Sequence, residues 1–153
     1  MNKDEICISI VDNYSLIKKI RNIMLRPGQP IESCIFPYDK ISIHLGLYKK
    51  DKLVSIISFS QQNLDSYDRF SCWQFRGMTT LSAYSRLGYG KTLLNASIDI
   101  VKDKKADYFW CNARESALMF YKKLNFKIIS DRFIVPVSGP HYKMVLDLND
   151  EYM

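Results

Sequence analysis

The 153-residue sequence has little of what builds cross-links or metal cages: four cysteines and two histidines. Cys7, Cys34, Cys72 and Cys111 are scattered with no C-x-x-C pair, and His44 and His141 do not cluster with them. Structural zinc and a disulfide framework are therefore not expected, and no metal is assigned. The thiols read as reduced and mostly buried. Long apolar runs are missing as well. Mean hydropathy is -0.17, and no stretch approaches the roughly 20 apolar residues of a membrane helix, so no membrane partner is expected. Met1-Asn2-Lys3-Asp4-Glu5 has no apolar h-region and no small-residue cleavage site. The expectation is a cytoplasmic protein without a signal peptide. Repeats, low-complexity tracts and linkers are also lacking. With domains clustering near roughly 100–150 residues, a single domain over 1–153 is expected.

Positive charge is not lacking. The net charge is +6 and the isoelectric point about 9.1, values that raise nucleic acid as a partner. The basic residues, however, come as doublets, Lys18-Lys19, Lys49-Lys50, Lys104-Lys105 and Lys122-Lys123, and no nucleic-acid-binding motif accompanies them. They read as solvated helix ends and hairpin tips, so no nucleic-acid partner is assigned. The positive field still favours a polyphosphate ligand.

Hydrophobic residues make up 47% of the chain and aromatics 13%, enough for a core. Period-two apolar residues predict a strand over Ile6 to Val11. Asp12 or Asn13 can cap a helix whose apolar face is Leu16, Ile20 and Ile23. Arg26-Pro27-Gly28-Gln29-Pro30 ends that helix. Two strands, Ile41 to Tyr48 and Leu53 to Phe59, form a hairpin about Lys49–Lys52. A polar loop then leads to a strand over Ser71 to Thr80. Next come a helix over Gly90 to Lys102 burying Leu94, Ile98 and Val101, a strand from Tyr108 to Cys111 and a helix from Glu115 to Leu124. Short strands near Lys127–Ile129 and over Tyr142–Leu148 complete the chain. This order predicts an α/β (α+β) fold with a mixed sheet and helices on its faces.

The most informative stretch is Tyr84-Ser85-Arg86-Leu87-Gly88-Tyr89-Gly90-Lys91-Thr92, where a strand ends, two glycines turn and a helix begins. Such a loop aims backbone N–H groups into one concavity beside an electropositive helix terminus, which suits a diphosphate. Arg86 and Lys91 can add charge-assisted bonds. A dinucleotide fingerprint would need a third glycine where Leu93 stands. A P-loop would need one where Ser85 stands, although Gly90-Lys91-Thr92 matches its end.

The chain resembles the GNAT superfamily of N-acetyltransferases over nearly its whole length. That family's loop reads Q/R-x-x-G-x-G/A, and Ser85 departs from its first position. Its later N-x-x-A-x-x-F-Y-x-K-x-G-F corresponds to the run from Arg114 to Phe126, with Arg114 for the asparagine and Asn125 for the glycine. Leu25-Arg26-Pro27-Gly28-Gln29-Pro30 and Gly139-Pro140-His141-Tyr142 are similar to an uncharacterised bacterial subset of the family.

The resemblance implies a mostly antiparallel sheet splayed between strands four and five. It implies acetyl-coenzyme A (acetyl-CoA) as co-substrate, with backbone contacts from Met78, Thr79 and Thr80. Arg86, Leu87, Gly88, Tyr89, Gly90 and Lys91 would hold the pyrophosphate, and Arg114 would take the asparagine's place. Tyr121 occupies the family's general-acid position. Relatives often use a strand-four glutamate as base, but Trp73-Gln74-Phe75-Arg76-Gly77 has no carboxylate. His141 is the first candidate base, because an imidazole pKa of about 6.5 suits proton transfer near neutrality. His44, alternating with Ile43 and Leu45, reads as structural. Arg26, Gln29 and Arg76 are the candidate acceptor contacts.

The implied reaction is acetyl transfer from acetyl-CoA to a primary amine, by direct attack in a ternary complex. The amine partner is a small molecule or a protein, and a homodimer is the assembly considered. A non-catalytic acetyl-CoA-binding or sensing module and a P-loop-like nucleotide-binding protein are the alternatives.

Overall fold

The computed structural model describes residues 5–149, which form two compact units. The first takes the chain up to Ser60 together with Phe75–Ile100, and the second takes Gln61–Gln74 and the chain from Val101.

In the first unit, β1 (Ile6–Ile10) pairs antiparallel with β2 (Ile43–Lys49), from Ile6↔Lys49 to Ile10↔Leu45. β2 pairs antiparallel with β3 (Lys52–Gln61), and the register shifts between Leu47 and Tyr48. β3 neighbours β4 (Cys72–Thr80), whose later residues belong to this unit. Helix α1 (Tyr14–Met24) starts where the Asn13 side chain accepts the Ser15 N–H at 3.0 Å. This cap satisfies one of the N–H groups that a helix start leaves open.

The buried face of α1 is Ile17, Ile20 and Arg21. Of the expected stripe, Ile20 is inside, but Leu16 and Ile23 are exposed. The helix is turned from the expected face because Arg21 is drawn inward by a carboxylate of a later segment. Its apolar side meets Val11, Leu53 and Ile56, with Tyr14, Met24, Tyr48 and Leu81 packed around them. Between α1 and β2 lie two 3-10 turns, Ile31–Cys34 and Asp39–Ile41. β2 therefore begins at Ile43, later than the hairpin reading places it. Helix α2 (Tyr89–Asp103) buries Leu93, Leu94, Ser97 and Val101, and Ile98 is half-buried.

In the second unit, the start of β4 pairs in parallel with β5 (Tyr108–Arg114), from Cys72↔Tyr108 to Gln74↔Trp110. β4 runs on to Thr80 and β5 to Arg114. β5 pairs antiparallel with β8 (Gly139–Asp147) along its whole length, and β6 (Lys127–Ile128) and β7 (Phe133–Val135) also pair antiparallel with β8. The sheet is thus mixed and mostly antiparallel, with β4–β5 as its parallel pair.

β7 is absent from the sequence reading, and β8 begins earlier than Tyr142. Pro136 and Pro140 obscure both, because proline weakens a strand pattern even where it sits at an edge. The second helix of this unit opens as a 3-10 turn, Glu115–Ala117, and becomes α3 only over Leu118–Lys122. Leu64, Cys72, Trp110 and Val145 form a core cluster here, with Tyr67 and Tyr108 against it.

Cys34, Cys72 and Cys111 are buried free thiols, and Cys7 is exposed. No helix among the described residues is long and apolar enough to cross a membrane.

Candidate active site

The glycine loop lies in the first unit. Ser82–Tyr84 makes a 3-10 turn after β4, and α2 opens at Tyr89. Arg86 (φ 63°) and Gly88 (φ 81°) both adopt left-handed backbone, so the chain twists twice before the helix. The Thr92 N–H and hydroxyl both donate to Gly88 O, at 3.0 and 2.9 Å. That closes the first turn and leaves the N–H groups of Tyr89, Gly90 and Lys91 without intrahelical acceptors, as at any helix start. Arg86, Leu87, Gly88 and Lys91 are exposed, and Tyr89 and Gly90 are half-buried.

Gly90 and Gly88 differ in what they demand. Gly88 needs glycine for its φ alone. Gly90 does not, and a Cβ there would meet Thr80 Oγ1 at 3.6 Å and Met78 Cε at 4.0 Å, ordinary contact distances. Any requirement for glycine at 90 therefore comes from outside the chain, as it would if a bulky anion approached the backbone. Those same contacts bring the end of β4 beside the loop. The Leu81 N–H donates to Val54 O at 2.8 Å and Ser55 Oγ donates to Thr79 O at 3.2 Å, so Thr79 and Leu81 turn toward β3. By strand alternation the backbone groups of Met78 and Thr80 turn the other way. Of the three residues expected to bond an extended ligand arm, these two are the ones with backbone directed away from β3.

The candidate acceptor residues Arg26, Gln29 and Arg76 also lie in the first unit. Arg26-Pro27-Gly28-Gln29 is a turn closed by the Gln29 N–H to Arg26 O at 3.2 Å, with Gly28 at φ 78°. The Asn22 side chain donates to Arg26 O at 3.0 Å and to Gln29 O at 2.9 Å, tying the turn back to α1. The Arg26 guanidinium lies 5.4 Å from the Phe36 ring and that of Arg76 5.5 Å from the Tyr38 ring. Gln29 is exposed.

Behind these residues is a buried polar network that periodicity does not reveal. Arg21, 0% exposed, donates to both oxygens of Asp39, at 2.6 and 2.9 Å. It also donates to Cys34 O at 2.8 Å and Ser58 Oγ at 3.0 Å. Asp39 further accepts the Tyr14 hydroxyl and, at 2.8 Å, the Phe36 N–H. Burial would raise the Asp39 carboxyl, but the hydrogen bonds from Arg21, Tyr14 and Phe36 outweigh it and hold the group below the usual carboxylate range. Burial, the hydrogen bond to Asp39 and its charge push Tyr14 up to about 12.

His44 completes the network. Its Nε2 faces Asp39 O at 3.0 Å and its Nδ1 faces Ser58 Oγ at 2.6 Å. A carbonyl can only accept, so Nε2 carries a proton, and in the neutral ring Nδ1 accepts from the serine. Both ring nitrogens are thus engaged, in keeping with the structural reading of His44. Of this network only the turn Phe36-Pro37-Tyr38-Asp39 has a local signature, its proline, and the Arg21–Asp39 pairing has none.

Tyr121, His141 and Arg114 lie in the second unit. Arg114 ends β5 opposite His141 on β8, and His141 pairs on its other side with Phe133 of β7. His141 is 6% exposed, its ring stacked on Phe133 at 5.9 Å and its Nδ1 2.8 Å from Gly139 O. The same carbonyl argument puts a proton on Nδ1, so that in the neutral ring the lone pair is on Nε2, the form a proton acceptor needs.

Tyr121 is buried, with its ring against Phe120 and Phe126 at 5.2 and 5.6 Å. Burial, and then Cys111, push its phenol well above the usual range, so it keeps its proton throughout the neutral range. The helix end behind it is closed by the Phe126 N–H to Tyr121 O at 3.1 Å, with Asn125 at φ 73°. Asparagine tolerates that left-handed position, so it can stand there in place of glycine. No group of three His, Cys, Asp or Glu residues able to hold a metal occurs among the described residues.

Comparisons with known proteins bear on the fold and the family. A model of the acetyltransferase (GNAT) family matches residues 18–126. The chain is 35% identical over 139 residues to "Uncharacterized N-acetyltransferase YitI" of Bacillus subtilis (strain 168), an alignment covering 90% of this chain and 91% of that one. The NatC complex bound to Gag peptide and CoA has the same fold, with a TM-score of 0.76 at 16% identity over 94% of this chain and 98% of the other. So has yncA of Salmonella typhimurium with its cofactor acetyl-CoA, with a TM-score of 0.72 at 14% identity over 99% and 98%. The last two likenesses carry the fold alone. The family match and the YitI identity carry the conclusion that the chain belongs to the acetyltransferase (GNAT) family and is a GNAT-type N-acetyltransferase.

Proposed function

We propose that this chain moves an acetyl group from acetyl-CoA to a primary amine by direct attack in a ternary complex. In this reading residues 1–153 act as one acetyltransferase domain, since the family match spans parts of both units. The observation that carries it is Gly90, a residue at the start of α2 whose lack of a side chain serves nothing within the chain. Structural relatives that hold CoA or acetyl-CoA support the choice of ligand.

Bound acetyl-CoA would supply the activated thioester carbonyl. The loop N–H groups from Gly88 to Lys91, with Arg86 and Lys91, would hold its pyrophosphate. Met78 and Thr80 would bond the pantetheine amides by strand addition, with Thr79 between them. Arg114 would contact the cofactor in place of the family's asparagine.

Proton handling falls to the second unit. A lysine-like amine neutral at pH 7 costs roughly 4–5 kcal/mol, so attack needs a base or a water relay. His141 is the proposed base, because with Nδ1 donating to Gly139 O the neutral ring presents its lone pair at Nε2. Tyr121 is the proposed donor to the departing thiolate, because it stands at the family's general-acid position and a phenol carries its proton at neutral pH.

The test has two parts. Acetyl-CoA at about 100 times its dissociation constant should stabilise the protein by roughly 2.7 kcal/mol, and Mg-ATP should do far less. Thiol release should then follow addition of an amine from a panel. A shift with ATP and none with acetyl-CoA would overturn the cofactor assignment. Binding without transfer to any amine would make the chain a binding or sensing module.

A further inference from the structure

β1 is the outermost strand on its side of the sheet, and its open edge has none of the usual protection. Ile6-Cys7-Ile8-Ser9-Ile10 contains no charge and no proline, and it pairs with β2 in unbroken register from Ile6↔Lys49 to Ile10↔Leu45. Sheet edges are ordinarily blunted by lysine, proline, bulges or short length. β6, at the other end of the strand order, is two residues long and begins with Lys127. β1 has no such device.

The hydrogen-bond phase of this edge follows from one bond. The Val11 N–H donates to His44 O at 2.8 Å, one step beyond the Ile10↔Leu45 pair. In an antiparallel ladder bonded and non-bonded pairs alternate, so Ser9 and Cys7 also bond to β2. The N–H and C=O groups of Ile6, Ile8 and Ile10 therefore point away from β2, where no described strand pairs with them. Their array reads the same in both directions about Ile8. A second copy laid antiparallel, with Ile8 opposite Ile8 and Ile6 opposite Ile10, sets every outward N–H of one strand against an outward C=O of the other. A two-fold dimer requires such a self-complementary patch.

Helix α1 adds apolar surface beside the strand. It packs on Val11, Leu53 and Ile56, and Arg21 marks its β4 side, with Nε 3.2 Å from where a Gly77 Cβ would lie. At about 100° per residue, Leu16 and Ile23 lie roughly 140–160° round the helix from Arg21, on the β1 side. They are the members of the apolar stripe left in water, 37% and 52% exposed, and Ile10 is 52% exposed as well. α1 starts beside His44, which is level with Val11, and ends by Ser82, next to the Leu81 that bonds Val54. It thus runs back along β1, and its apolar flank follows the open edge.

Charge complements this register. One residue beyond the strand, Glu5 falls opposite Val11 of the second copy, and both side chains are on the α1 face by alternation. Glu5 then lies by that copy's α1 N-terminus, whose first turn holds no acidic residue. A helix N-terminus favours an anion, and Asp12 there is outnumbered by Lys18 and Lys19. The area sets the strength. β1 and the α1 flank offer about ten residues a side, against roughly 20–30 in a standard interface, which places the pairing in the weak, concentration-dependent class.

We propose that β1 is a self-association edge, on which a second copy of this chain pairs antiparallel about Ile8, continuing the sheet and sheltering Leu16 and Ile23. This inference is independent of the acetyl-transfer reading, which stands or falls on its own tests.

Sedimentation of the full chain tests it. Between about 5 and about 500 μM the mass should rise from 17.9 kDa toward twice that value. Ile10→Lys should weaken association about tenfold, because a two-fold axis counts the change twice. Adding Ile6→Glu, which meets residue 10 only across the axis, should restore it. Cross-linking reads the register. Cys7 falls opposite Ser9 of the second copy in a non-bonded pair, with Cα atoms about 4.5 Å apart, within disulfide range. Ser9→Cys should therefore give a covalent dimer on mild oxidation, and wild type, with Cys7 its exposed thiol, should not.

A monomer of 17.9 kDa throughout that range, with no cross-link in Ser9→Cys, would overturn the inference. A dimer that Ile10→Lys leaves intact and Ser9→Cys does not link would put association on another surface and overturn it too. Wild type linking as readily as Ser9→Cys would refute the register. If melting shows that Ile10→Lys does not fold, the Ser9→Cys cross-link decides by itself.

Discussion

Replacing Gly90 by valine, with Gly90→Ala and Gly88→Ala as controls, separates a ligand-imposed glycine from a backbone-imposed one. At Gly90 the backbone is helical and a Cβ finds only ordinary contacts, at 3.6 and 4.0 Å. Alanine there should be neutral or should stabilise by up to about 0.5–1 kcal/mol, the helix-interior difference between glycine and alanine. At Gly88, φ is 81°, and a side chain in left-handed backbone costs about 1–2 kcal/mol. For a chain of this length that corresponds to a melting temperature lowered by roughly 2–8 °C.

Affinity should follow the other pattern. A valine side chain at 90 holds a diphosphate off the N–H groups at the start of α2. Losing one or two hydrogen bonds to a charged group, at about 1.5–3 kcal/mol each, weakens CoA at least about tenfold. The assays are thermal melting and calorimetric titration with CoA. Wild-type CoA affinity in a folded Gly90→Val variant would refute the reasoning, and a lowered melting point with intact affinity would make Gly90 a packing residue.

Three further outcomes are expected. Tyr121→Phe should lower turnover by about 10²- to 10⁴-fold with little change in acetyl-CoA affinity; full turnover with a loss of about 1 kcal/mol in stability would make Tyr121 a packing residue. Asp39→Asn should destabilise by about 3–5 kcal/mol in urea melts, because it weakens the partner of a fully buried Arg21. The folded Asp39 pKa is lowered, so its contribution is complete above the unfolded value of about 3.9 and is lost as pH falls through the folded value; acid melts of wild type and Asp39→Asn should differ there. Tyr14 is raised to about 12, so its contribution is present below about pH 10 and lost as pH rises toward 12, and Tyr14→Phe should flatten that alkaline decline in stability.

Local signals carried much of the fold. Asn13 caps α1 as its residue type and position imply. Period-two apolar residues mark β1, and the polar tip at Lys49–Lys52 marks the β2–β3 hairpin. Asn125 occupies the left-handed site that its motif position requires. The signals failed where two residues far apart decide the outcome. The spacing of Leu16, Ile20 and Ile23 is a valid helical stripe, but so is that of Ile17, Ile20 and Met24. What selects the second face is Arg21, pulled inside by Asp39 eighteen positions later.

The sequence by itself determined the glycine loop at the start of α2, the Tyr121 motif and the family, because each rests on residues close together in the chain. Tertiary structure alone decided that Gly90 leaves room for an outside group, that Thr79 turns toward β3, and that Arg21 is spent on Asp39. It also decided that Arg26 and Arg76 are carried by the aromatic rings of one turn. Periodicity records which side of an element is apolar, but a buried ion pair and the turn built around it depend on contacts between distant segments.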